Sequence, residues 1–331
     1  MQILVTGGLG FVGINLVRDL AVAFPEAVLI AADRLMVDES IRHFFAPMQD
    51  RVQIELLDIR DRQALDALVN KTRATHIIHA AAVTPDEDTE WHRSPDVVDV
   101  NLVGAVNALR AAYLFDFVEK FVFISSSGVY GRPEPGDDAL QHEDKNIQLD
   151  HLYGISKYSI ELLTERYALY TGKPMASLRL ASMFGPMERN TGARTGMSQP
   201  RRLMNALLAH QPLKAYGPHI RRDWMYTADL GLAVAKMFKS DHWQHAVYNA
   251  GTGEAITFGD LISVFERHGL PVHWVQDPAL ADFAMQSDNG RQALDITRLK
   301  SDFGYQPKYT GTLGVDKYIE DEISAQKGNL R

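Results

Sequence analysis

The stretch Val5–Gly13, VTGGLGFVG, joins an apolar opening run to an amphipathic one. Its glycines at positions 7, 10 and 13 have the spacing of a dinucleotide-binding turn. Gly7 permits a tight turn out of a strand. Gly10 lets a pyrophosphate approach the backbone, and Gly13 allows the next helix to pack closely on the strand. Phe11 and Val12 fall in the first turn of that helix, whose unpaired N–H groups and positive dipole end attract phosphates. The alternative is a purely structural strand-to-helix turn, and the rest of the chain discriminates between the two.

Working outward, short apolar runs at Gln2–Thr6, Ala27–Ala32, Val52–Leu57, His76–Ala81, Lys120–Ser125 and Ala176–Leu180 predict strands. They lack clean alternation, as strands buried on both faces do. Helical patterns lie between them at Phe11–Ala23, Arg62–Lys71, Pro95–Phe115 and Leu152–Thr171, and further ones follow at Arg201–His210, Thr227–Lys239, Phe258–His268, Ile296–Phe303 and Leu313–Gln326. Strand and helix in alternation imply right-handed crossovers and a parallel sheet. The expected fold is α/β: a Rossmann-type doubly wound parallel sheet with a smaller mixed α/β C-terminal substrate domain. Residues 1–182 plus about 220–255 form the first unit, and about 183–219 plus 256–331 the second. Between them Met187–Pro200 reads as a long loop rich in Gly and polar residues, which is expected to close over bound substrate.

The chain has 331 residues, 46% of them hydrophobic and 23% charged, as in ordinary globular proteins. A net charge of −8 argues against nucleic acid as a partner. With no cysteine, disulfides, thiolate metal sites and cysteine nucleophiles are excluded. The histidines at 210, 219, 242, 245 and 268 lack metal-ligand spacing, so no metal is expected. The N-terminus lacks the basic and apolar regions of a signal peptide, and no apolar stretch reads as a bilayer span. A cytoplasmic protein without membrane contact is expected. The acidic run Pro85–His92 reads as a solvated loop.

Three signals carry chemistry. Asp33 ends the second strand, where a carboxylate accepts from ribose hydroxyls and repels a 2′-phosphate; this favours NAD over NADP. Arg34 beside it would favour a 2′-phosphate if it turned inward. The strand Lys120–Ser125 runs into SSSGVYG (Ser125–Gly131), so it presents hydroxyls at its end. YGISK then sets Tyr153 and Lys157 on one face of a helix. Tyrosine has an ordinary pKa of about 10, but a nearby ammonium and a positive nicotinamide ring would stabilise the phenolate. It could then accept a proton from an alcohol as hydride leaves carbon.

These motifs, with LDIRD around Asp58, HAAAVT (His79–Thr84), LRLASMFGP, RRDWMYTADL and NAGTG, resemble an extended short-chain dehydrogenase/reductase of the NAD-dependent epimerase/dehydratase type. The resemblance spans nearly the whole chain. It implies that Ser126 holds the substrate oxygen, with Ser127 as the fallback, while Ser125 satisfies backbone groups. It implies further that Lys157 bonds the nicotinamide ribose, that Asp58 and Ile59 lie near adenine, and that Ala80, Ala81 and Ala82 line the cofactor groove. Arg222 matches the diphosphate-binding arginine, and Thr84, Arg179 and Ser182 are further substrate candidates. The helices Pro95–Phe115 and Leu152–Thr171 would form a homodimer interface.

The departures are informative. Dehydratases of the family carry Asp-Glu, and sugar-acid decarboxylases a glutamate, where this chain has Ser127 and Gly128, so those reactions are not expected. The family's RxxN becomes Arg179 with Ser182, and the position ten before Asp295 is Met285, with Arg291 much closer. These changes lean toward a free sugar, sugar acid or related polyol as the small-molecule substrate. The main expectation is an NAD-dependent oxidoreductase with Tyr153 as general base. The alternatives are a nucleotide-sugar epimerase that retains NAD and, from another class, a non-catalytic dinucleotide sensor.

Overall fold

A computed structural model describes residues 1–85, 87–132, 139–145, 147–194, 196–286 and 290–329. In chain order the first half comprises β1 (Gln2–Thr6), α1 (Phe11–Ala23), β2 (Val28–Asp33), α2 (Glu39–Phe45), β3 (Val52–Leu56), α3 (Arg62–Thr72), β4 (His76–His79), α4 (Glu87–His92), α5 (Ser94–Val98), α6 (Ala105–Leu114), β5 (Lys120–Ser126) and α7 (Leu152–Thr171). The second half comprises β6 (Met175–Leu180), β7 (Ser182–Phe184), α8 (Gln199–Leu208), β8 (Leu213–Tyr216), β9 (Arg221–Arg222), β10 (Trp224–Tyr226), α9 (Thr227–Lys239), β11 (Val247–Ala250), β12 (Ile256–Thr257), α10 (Phe258–Arg267), β13 (Val272–Trp274), β14 (Phe283–Ala284), α11 (Thr297–Phe303) and α12 (Leu313–Asn329).

The central sheet has seven strands in the order β11-β6-β5-β4-β1-β2-β3, all paired in parallel. Its strands are apolar on both faces because both are covered. In β1, Ile3 and Val5 join the core under α1 and α9, while Leu4 joins the opposite core under α3, α6 and α7. The edge strand β3 is less buried, and its Leu56 is exposed. A third core, built on Phe184, Leu203, Trp224, Phe258, Phe265 and Tyr318, holds the short strands and helices of the C-terminal region together.

Four expectations need correction. The seventh strand, β11, falls in the NAGTG segment and went unread because four residues give too short a pattern. The acidic run contains helix α4, with Asp86 outside the described residues. The helix expected over Pro95–Phe115 is α5 and α6 joined by a π-helical turn, Asp99–Gly104. Over Ser94–Leu114 it is in fact long and apolar enough to cross a bilayer by length and composition. It instead lies on the sheet, with Ala105, Ala108, Leu109, Ala111 and Ala112 fully buried.

Candidate active site

From β1 the chain order runs one way to β2 and the other way to β4, and a crevice opens beyond the carboxyl ends of the strands at that point. A cavity of about 540 Å³ lies there, extending from Asp33, Arg34 and Asp58 past Ser126 and Tyr153 to Arg222 and Arg291. Gly7 has φ 70°, and a Cβ on it would stand 2.5 Å from the Ala81 nitrogen. A Cβ on Gly13 would stand 2.0 Å from the Gly7 carbonyl oxygen. Only glycine allows α1 to begin so close to β1, and Gly10, Phe11 and Val12 line the cavity at its N-terminus. The Asp33 carboxylate accepts from the backbone N–H of Leu9 (3.0 Å) and of Leu35 (3.1 Å), tying the glycine turn to β2. Arg34 is exposed at the rim, and Asp58 is clamped by Arg60, whose hydrogen bonds hold its carboxyl below the usual range. Ile59 and Ala80–Ala82 complete this end.

At the other end, β5 delivers Ser126, whose Oγ accepts from the Gly128 N–H at 3.1 Å. Helix α7 brings Tyr153 into the same cavity as Ser126 and Thr84. Lys157, one turn on and 2% exposed, donates to the Ile124 carbonyl at 2.7 Å and lies 5.6 Å from the centre of the Tyr153 ring. Burial lowers the Lys157 pKa to about 7, against the pull of Glu161. Burial likewise raises that of Tyr153, and the charge that opposes the rise is Arg194, not the lysine expected from the sequence. Ser127 and Ser182 line the cavity. Ser125 does not bond backbone groups; its Oγ donates to the Glu161 carboxylate at 2.5 Å.

Arg179 is not a cavity residue. Its guanidinium is buried beneath the site and donates to Glu161 (2.7 Å), the Tyr130 hydroxyl (2.9 Å) and the Glu143 carbonyl (3.0 Å). A short substrate-facing role is replaced by a structural one, because β6 points that side chain at α7 and its buried acid. Arg222 does line the cavity, and Arg291 lies with it. Burial lowers the Arg222 pKa to about 9, and the Arg291 charge adds to the effect. The segment from Met187, of which Thr195 lies outside the described residues, covers the groove. Arg189 donates to Asp38 (3.1 Å), the Ser40 hydroxyl (3.0 Å) and the Leu9 carbonyl (3.3 Å). Arg194 pairs with the buried Glu188 at 2.7 Å and packs over the Phe11 ring, and the Thr84 N–H donates to the Ala193 carbonyl at 2.8 Å. The carboxylate that each arginine reaches belongs to this chain.

The model of the NAD dependent epimerase/dehydratase family matches residues 3–251. The chain belongs to that family. A bifunctional UDP-glucose 4-epimerase and UDP-xylose 4-epimerase of Pisum sativum is 26% identical over 99% of this chain and 96% of its own. UDP-glucose 4-epimerase of Thermus thermophilus, solved with NAD, superposes with a TM-score of 0.77 at 25% identity, over 98% of this chain and all of that one. That of Thermotoga maritima, solved with UDP-glucose, gives a TM-score of 0.81 at 22% identity over 98% and 100%, which establishes the shared fold. The protein is thus an NAD-dependent enzyme, and the glycine cradle, the N-terminus of α1 and Asp33 fit that cofactor.

The sequence reading gave no site role to two polar cavity residues, Arg291 and His151. Arg291 was visible as an arginine close to Asp295, displaced from the family's usual position. His151 lies two residues before Tyr153 and lines the same cavity. It carried no metal spacing or motif to mark it.

Proposed function

We propose that this protein is a cytoplasmic, homodimeric epimerase of a nucleoside-diphosphate sugar that keeps its NAD between turnovers. The observation that carries this reading is the pairing of Arg222 and Arg291 beyond the catalytic tyrosine. Two guanidinium groups close enough for the Arg291 charge to add to the lowering of the Arg222 pKa suit a diphosphate, which offers both of them oxygen acceptors. The altered anchors that leaned toward a smaller substrate are offset by this second arginine, and the relatives bear the names of UDP-sugar epimerases. Retention of NAD is supported by the strapping of the segment around Arg189 and Arg194 across the groove. The homodimer is supported by exposed apolar side chains on α6 and α7, among them Tyr113, Leu162, Leu169 and Tyr170. Residues 1–182 and about 220–255 would hold the cofactor, with the remainder enclosing the substrate.

NAD supplies the hydride acceptor. Ser126 and Thr84 hold the substrate hydroxyl beside Tyr153, which takes its proton as the carbon is oxidised and returns it after the sugar has turned. Lys157, protonated when a nicotinamide ribose and the phenolate are near, steadies both. Asp33 would bond the adenosine ribose, with Asp58, Ile59 and Ala80–Ala82 around the adenine half. The test is direct. Purified protein should carry NAD through gel filtration and interconvert UDP-glucose and UDP-galactose, and Arg222→Ala or Arg291→Ala should raise KM more than tenfold. Free NADH accumulating with an oxidised sugar would instead establish a dehydrogenase.

A further inference from the structure

The carboxyl groups that dehydratases and decarboxylases of the family carry are absent at residues 127 and 128, which are serine and glycine. The His151 imidazole is bracketed by two glycines: a Cβ on Gly128 would stand 3.5 Å from Nε2, and one on Gly154 would stand 3.1 Å from Cε1. That same Gly128 Cβ would be 3.3 Å from Ser126 Oγ, so the ring sits beside the catalytic hydroxyls. It stacks on the Tyr153 ring with centroids 6.2 Å apart and an interplanar angle of 27°. Nδ1 lies 2.5 Å from Asp150 Oδ1. An ionised carboxylate only accepts, so Nδ1 carries the proton and Nε2 keeps its lone pair. Although partial burial opposes it, the His151 hydrogen bond and the Arg132 charge hold the Asp150 carboxyl below its usual range.

We propose that His151, oriented by Asp150, is a second acid–base group that takes a proton from the carbon next to the ketone formed at Tyr153. This inference rests on the proposed epimerase reading. Oxidation sends hydride to NAD and the hydroxyl proton to Tyr153, and the carbonyl then acidifies the neighbouring C–H. Nε2 accepts that proton. The C–H electron pair becomes the enolate double bond, and the carbonyl π pair moves to oxygen, where the Ser126 and Tyr153 hydroxyls donate. Return of the proton from Nε2 restores the ketone, so the carbon-bound hydrogen exchanges with solvent without a further reactant. Chemistry that residues 127 and 128 do not support is thereby supplied by the residue that precedes α7.

The charged and titratable groups around the ring are Asp150 and Arg132 before α7, Tyr153 on α7, Glu90 of α4, which accepts from the Leu152 N–H at 2.7 Å, and Arg194, whose charge acts on Tyr153. The experiment incubates holoenzyme in D2O with UDP-glucose and UDP-galactose, reading enzyme-bound NADH by absorbance and deuterium beside the oxidised carbon by mass spectrometry. Deuterium should enter with wild type, and His151→Gln should lower the exchange per NADH formed by about 100-fold or more, the span of general acid–base catalysis. Nitrogen-15 histidine NMR should show the Nδ1–H tautomer at His151 in wild type and its loss in Asp150→Asn. NADH without deuterium in wild type, an unchanged ratio in His151→Gln, or an Nε2–H tautomer each overturns the assignment. No NADH with either sugar nucleotide overturns the epimerase reading, and this inference with it.

Discussion

Glu161→Gln keeps the shape of a buried side chain and removes its charge. That carboxylate is 1% exposed and accepts from Ser125 Oγ at 2.5 Å and from Arg179 Nε and Nη2 at 3.0 and 2.7 Å. An amide in its place accepts at one oxygen only and turns an NH2 group toward the guanidinium. Arg179 is left buried without its paired carboxylate, and removing one partner of a buried pair costs about 3–5 kcal/mol. With an unfolding entropy of about 2.1 cal/mol/K per residue, or roughly 0.7 kcal/mol/K for 331 residues, Tm falls by about 4–7 °C. A second effect is electrostatic. Burial lowers the Lys157 pKa to about 7, and Glu161 is the charge that resists it. Without Glu161 the lysine loses its proton at lower pH, so the alkaline limb of kcat moves downward. Scanning calorimetry and a pH profile of the holoenzyme measure both effects. A Tm within about 1 °C of wild type, or an unmoved alkaline limb, refutes the reasoning.

Tyr153→Phe should leave less than about a tenth of wild-type turnover with NAD affinity nearly unchanged, measured by steady-state kinetics and cofactor titration. Asp33→Ala should erode the preference for NAD over NADP in a binding comparison, and a wild type that prefers NADP would assign the ribose site to Arg34 instead. Arg189→Ala, which unties the strap from Asp38, Ser40 and Leu9, should speed NAD release about tenfold in a stopped-flow displacement. Leu162→Glu combined with Leu169→Glu should give a monomer by analytical ultracentrifugation, because both side chains are exposed on one face of α7.

The sheet was legible where strands are apolar on both faces, and α1, α7 and α9 were legible to the residue because their periodicity has clean ends. The short strands of the C-terminal region were not, since two to four residues leave no period to read. In the site, the glycine turn and the Tyr153–Lys157 pair are local patterns, and both line the cavity. Arg179 misled because a strand arginine declares its charge but not the side of the sheet on which its partner waits. Glu161, four residues after Lys157, offered a helical-spacing signal that was overlooked. His151 and Arg291 gain their meaning only from segments that the fold brings beside them.

The π-helical turn before α6 has a consequence for the spacing of the groove's walls. Asn101, inside that turn, accepts from the Val83 N–H at 2.7 Å and donates to the Val83 carbonyl at 2.9 Å, clasping the backbone after β4. Asn107 donates to the Ile59 carbonyl at 3.0 Å, clasping the backbone after β3, and a Cβ on Gly104 would stand 2.6 Å from the Ile59 side chain. One continuous helical rod therefore grips the loop at each end of the dinucleotide groove. Adding or removing a single residue between Asn101 and Asn107 would shift one grip by about 1.5 Å and turn it by about 100°. The rod is a gauge: it sets the distance between the backbone after β3 and the backbone after β4, and the wide turn is the vernier that brings its two marks into register.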